Sequence, residues 1–78
     1  MNREDVEKLL ARVRARRSEA EAEAGHAAEA LVRLASGMTP LARVDPDRVR
    51  AAADTFADAV HRLRRLEEFS GELRGLLM

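Results

Sequence analysis

The apolar positions from Ala20 to Leu34 step by alternating fours and threes through Ala24, Ala27 and Leu31, the spacing of one helix face packed against another helix. Extended in both directions, the ladder reads Val6, Leu10, Val13, Arg17, Ala20, Ala24, Ala27, Leu31, Leu34 and Met38, with Arg17 its only charged member. A second ladder with the same alternation follows: Val49, Ala52, Phe56, Ala59, Leu63, Leu66, Ser70, Leu73 and Leu77. No stretch shows the period-two alternation of a strand, so the class is all-α.

The ends of both segments carry their own signals. Asn2 is placed to cap the first helix, Asp5 follows three residues later, and Met1 and Val6 have the spacing of a hydrophobic staple. Gly37 is a natural residue to follow a helix end, and Pro40 prevents continuation. Thr39-Pro40-Leu41-Ala42-Arg43 predicts one short helical turn capped by Thr39. Asp45-Pro46-Asp47 then places a capping carboxylate before a proline at the first helical position. These signals predict one domain over residues 1–78, with a helix over about 3–36, a turn over about 37–45 and a second helix over about 46–75, fraying after Gly71 or Gly75.

Folding the chain back on itself gives one antiparallel register that fits nearly every seam position. Val6 faces Leu77, Leu10 faces Leu73, Val13 faces Ser70, Ala20 faces Leu63, Ala27 faces Phe56, Leu31 faces Ala52 and Leu34 faces Val49. Large residues meet small ones in the middle, which evens the volume between the helices, and the Ala24–Ala59 layer is expected to be the closest approach. Beside the seam the register sets Glu7 near Arg74, Arg14 near Glu67 and Glu23 near Arg62. Such exposed pairs add only about 0 to 1 kcal/mol each, yet they oppose a slipped or parallel pairing. Arg16 falls opposite Phe69, and Arg17 faces Leu66, with its charge expected to reach Glu67 or water, or else the carboxylate of a partner. The predicted fold is an antiparallel two-helix hairpin, coiled-coil-like.

Two helices cannot enclose a core, and apolar residues remain outside the seam. Leu9, Phe69 and Leu76 lie on one flank near the termini, joined by Met78. Ala28, Ala35, Ala53 and Val60 lie on the other flank near the loop, with Val32, Leu41 and Val44 close by. A wide apolar stripe normally faces another element. The expectation is therefore a homodimer that pairs two hairpins into a four-helix bundle, or docking on another helical protein, with Leu9, Val32, Leu41, Val60, Phe69 and Leu76 as interface residues and the contact centred on Leu9, Phe69 and Leu76. The alternative is that loop residues and the C-terminus fold over these patches.

Composition narrows the function classes. Lysine plus arginine and aspartate plus glutamate both number 14, so the chain has no net pull on nucleic acid or anionic lipid. There is no cysteine, which excludes disulfides and thiolate metal sites. Apolar runs are far short of the ~20 residues that span a bilayer. Arg3, Glu4, Asp5, Glu7 and Lys8 stand where a signal peptide would be apolar, so a cytoplasmic location is the default expectation. The excess of arginine over lysine and the abundance of alanine fit a bacterial-like, high-GC coding bias.

Three chemistries are conceivable for the polar residues. Glu23-x-x-His26 and Asp58-x-x-His61 have the spacing used by di-iron carboxylate bundles, where such pairs point inward. The seam puts His26, Asp58 and His61 outside, so they are weak metal candidates that would need a dimer to bring them together, and no cofactor is expected. Arg12, Arg14, Arg16 and Arg17 form a cluster able to touch phosphates, the mark of a small phage- or plasmid-type regulator, although Glu67, Glu68 and Glu72 should lie across from it and no stacking aromatics accompany it. No nucleophile and base occur in a motif context, so no catalytic residue is assigned and an enzyme is not expected. The layout of Gly37 to Pro46 followed by Phe56 to Leu77 resembles the small helical co-chaperones that hold needle subunits in type III secretion. The resemblance is one of layout, which many helical adaptors share, and it assigns no functional residue. The sequence reads as a small non-enzymatic, chaperone-like or adaptor-like protein–protein interaction module.

Overall fold

The computed structural model describes residues 2–36 and 40–78. It is all-helical: α1 spans Arg3–Ala35, a 3₁₀ turn spans Leu41–Arg43, and α2 spans Pro46–Gly75. The two long helices pack side by side as a hairpin 57 × 15 × 14 Å in extent. The expectations placed on Met1, Gly37, Met38 and Thr39 (the staple, the helix-ending glycine, the end of the first ladder and the cap of the short turn) lie outside the described residues.

Local chemistry accounts for each boundary. The Asn2 side-chain oxygen accepts from the Asp5 N–H at 2.8 Å, occupying a donor that the first turn of α1 leaves unpaired. Glu4 and Asp5 add negative charge at that positive helix end. α1 stops at Ala35, where Ser36 turns extended and its hydroxyl donates to the Arg33 carbonyl at 3.0 Å. The short turn closes through the Arg43 N–H to the Pro40 carbonyl at 2.9 Å. Asp45 then caps α2 by accepting from the Asp47 N–H at 2.9 Å, with Pro46 at the first helical position.

α2 runs straight through Gly71 and ends at Gly75, where the Leu76 and Leu77 N–H groups donate to the carbonyls of Leu73 and Arg74. Packing of the neighbouring Ser70 and Leu73 against α1 offsets the weak helix propensity of Gly71. Gly25 and Gly71 each cost about 1 kcal/mol relative to alanine in a helix interior. No heavy atom lies within 4 Å of where a Cβ would stand at either, so nothing in the hairpin itself requires a glycine there.

The seam is closed on one edge and open on the other. With the seam positions of each heptad labelled a and d, the d positions are Val6, Val13, Ala20, Ala27 and Leu34 on α1 and Ala52, Ala59, Leu66 and Leu73 on α2. Fully buried are Val6, Val13, Ala20, Ala27, Ala59 and Leu73, all at d, together with Ser70 at a. The a positions Leu10, Ala24, Leu31, Val49, Leu63 and Leu77 are only half-buried, and Phe56 is 38% exposed. Residue size explains the roll: the shorter Val and Ala side chains that dominate d let the backbones close on that edge, while Leu and Phe at a hold the other edge apart. The d-edge core is densest near the termini, where Val6, Val13 and Leu73 pack with Leu9, Leu10, Leu66 and Leu77. Ala59 is completely buried, whereas Ala24 opposite it is half-open.

Candidate interaction surface

The surface is large for the mass. A compact monomer of 8.7 kDa exposes about 4,700 Å². This chain exposes 6223 Å². The radius of gyration is 17.6 Å, where a globular chain of this length has about 11 to 12 Å. The surplus reflects the elongated shape, 57 Å long and about 15 Å across.

Two apolar faces stand out, at opposite ends and on opposite flanks. Near the termini, on the flank beside d, Leu76 is 64% and Phe69 42% exposed, and Leu9 is half-buried. Near the loop, the open a edge with Leu31, Phe56 and Leu63 continues outward through half-buried Ala28 and Val60 and exposed Ala35, Ala53 and Ala57 to Val32, which is 68% exposed. Leu41, in the short turn, is also exposed, and Val44 is half-buried. A third feature, which the sequence reading did not single out, is a shallow open groove on the d side near the loop, lined by Ala27, Ala30, Ala51, Ala52 and Thr55 with Glu23 and His26 at its rim. Ala30 and Ala51 lie just outside the seam, and their smallness is the signal that would have located it.

Of the three flanking ion pairs that the register predicts, one forms and two are replaced. Arg62 pairs with Glu23 across the seam, as the flanking positions lead one to expect. The guanidinium holds the Glu23 carboxyl below the usual carboxylate range, chiefly through its hydrogen bond, with partial loss of hydration opposing the shift and the charge of Arg62 adding a lesser pull in the same direction as the bond. A carboxylate lowered in this way contributes stability that is present at neutral pH and lost as pH falls through its folded value; on so exposed a pair the contribution is small. The replacements concern Glu67 and Glu7. Glu67 accepts from Arg17 at 3.3 Å, and Arg17 also reaches Glu21 at 3.2 Å. Glu7 takes Arg3, one turn away, at 3.3 Å. The expected Arg14–Glu67 and Glu7–Arg74 pairs are not formed among the described residues, because Arg17, on the open a edge, has the more direct line to Glu67, and a neighbour four residues away on the same helix restrains Glu7 at less entropic cost. Arg17 thus lies along the surface with its charge on Glu67, and Arg16 turns to Glu19 at 3.4 Å.

The other candidate sites disperse. Arg12, Arg14, Arg16 and Arg17 are all exposed, but Arg16 and Arg17 already hold carboxylates. His26 and His61 are exposed on different helices, with Asp58 exposed on α2 beside His61, and the described residues contain no group of three or more potential metal ligands. A recess lined by Asp58, His61, Arg62, Arg64, Arg65 and Glu68 lies along the outer side of α2 and is open to solvent. No described helix is long and apolar enough to cross a membrane.

The fold and these faces define a class, the two-helix hairpin with exposed apolar flanks. Beyond that class, no family model, curated protein or solved structure matches the chain.

Proposed function

We propose that this protein is a non-enzymatic interaction module that works by laying exposed apolar helix faces against other helices, its own copies among them, with a four-helix bundle of two hairpins as the assembled form. The observation that carries the reading is the exposure of Val32, Phe69 and Leu76 on a molecule with so little enclosed core. Among the described residues only six apolar ones are buried, and of these only Val6 is a side chain larger than alanine with less than 2% exposure. A chain that leaves this much apolar surface in water gains about 25 cal/mol for each Å² it covers. Helix-in-groove docking and bundle formation are the ways such faces are covered.

The test charges both faces at once. Sedimentation equilibrium of the native chain is expected to show self-association, and the double variant Val32→Asp with Leu76→Asp is expected to sediment as a monomer with its helical circular dichroism retained, since both side chains lie on the surface. A native chain that is monomeric at every concentration, or a double variant that associates as the native chain does, would overturn the reading.

A further inference from the structure

We propose that the second copy docks on the open a edge near the loop, α1 of one molecule lying antiparallel on α2 of the other with the two loops at the same end. This rests on the self-association proposed above, and it departs from the expectation that Leu9, Phe69 and Leu76 make the contact. Those residues are then left for a different helical partner.

Three features support a second copy here. The first is area, which allows a contact without choosing its face. The hairpin exposes about 1,500 Å² more than a compact chain of its mass, while each partner in a specific interface covers about 800 Å². The half-open Leu31, Phe56 and Leu63 already point along this edge.

The second is charge. A two-fold axis parallel to the helices sets Gly25 against Val60 of the second copy, Ala28 against Ala57, Val32 against Ala53, and Glu21 against Arg64. At its end away from the loop the apolar stretch then meets one pair of opposite charges. A two-fold axis across the helices lays α2 on α2 around Ala57 and brings Arg50 against Arg64 of the other copy, a like-charge contact. In the favoured arrangement Glu29 and Asp54 of the second copy share the wet outer rim, where Arg33 already bridges Glu29 at 3.9 Å.

The third is the unexplained glycine. Gly25 lies on this face with nothing near it in its own molecule, and against a second helix the missing side chain allows close approach. In isolation a leucine there should only improve the helix; against a second copy it should hold the helices apart.

The experiment uses the full chain. Gly25→Leu is expected to weaken the dimer about tenfold or more by sedimentation equilibrium. Ala51→Leu, on the opposite flank, and Leu76→Asp, at the terminal patch, are expected to leave it intact. Because the chain has no cysteine, a second measurement is available that does not depend on a bulky substitution. Ala28→Cys and Ala57→Cys chains, refolded together and oxidised, are expected to give a disulfide-linked dimer, while either variant alone gives little. A dimer that survives Gly25→Leu but is broken by Leu76→Asp places the contact at the terminal patch and overturns this inference while leaving the proposed function standing. Cross-linking of either cysteine variant alone to the level of the mixture also overturns it. A native chain that never dimerises removes both.

Discussion

At the scale of single residues, the two alanines that face each other in the middle of the seam are not equivalent. Ala59 has no exposed surface, and its methyl points into the closed edge. Ala24 is half-open. Ala59→Leu must push three extra carbons into a space already filled and is expected to cost about 1 to 3 kcal/mol, whereas Ala24→Leu can send its new atoms out along the open edge and should cost less than 1 kcal/mol. Urea denaturation of the two variants side by side checks the difference, and equal losses would mean that the roll of the helices is not as described. Both positions read as seam alanines in the sequence, because the alternation of threes and fours says which residues face the partner helix and not how far each helix is turned about its own axis. That rotation comes from comparing two whole columns of side chains: Val6, Val13, Ala20 and Ala27 on one edge against Leu10, Leu31, Phe56 and Leu63 on the other. At Glu67 the sequence offers both Arg14 and Arg17 as partners, and the open edge on which Arg17 lies decides for Arg17.

At the scale of elements, the helix starts were legible and the space between them less so. Asn2 and Asp45 both cap as the residue order at each start implies, because a capping bond involves only neighbours within three residues and is therefore local information. The same locality makes the effect of losing a cap easy to bound. Asp45→Ala is expected to destabilise the hairpin by about 0.5 to 2 kcal/mol in thermal or urea unfolding, with Asp45→Asn retaining most of the stability, because an amide oxygen can still accept from the Asp47 N–H. The stop of α2 was less readable. Gly71 has the propensity of a terminator, but Ser70 and Leu73 on either side of it are buried against α1, and that packing carries the helix on to Gly75. The alanine groove formed by Ala27, Ala30, Ala51 and Ala52 went unread for a related reason: Ala27 and Ala52 read as seam positions and Ala30 and Ala51 as isolated alanines beside it, and only the placement of two helices turns their absence of bulk into a shape.

At the scale of the whole molecule, a rod 57 Å long and about two helices across has no interior beyond one seam, and most of what that seam fully buries is alanine and valine. Charge does little to hold it, because the cross-seam Arg17–Glu67 and Arg62–Glu23 pairs are exposed and each adds a fraction of what a buried leucine adds. What those pairs do supply is register, since the short connection from 36 to 45 already makes α1 and α2 antiparallel. Stability must then depend on how much of the open edge is covered, and if a second copy covers it, folding and association become one equilibrium. Its melting temperature would depend on protein concentration, since the dimer is favoured by mass action and the unfolded chains are not. For two chains of this length unfolding together, an entropy of unfolding near 2.1 cal/mol/K per residue predicts a rise of about 3 to 5 °C for each tenfold increase in concentration. The expected measurement is a series of thermal scans by circular dichroism spanning at least a hundredfold in concentration. Coincident curves across that range would mean that the hairpin stands without a companion and that its exposed faces contribute nothing to its own stability.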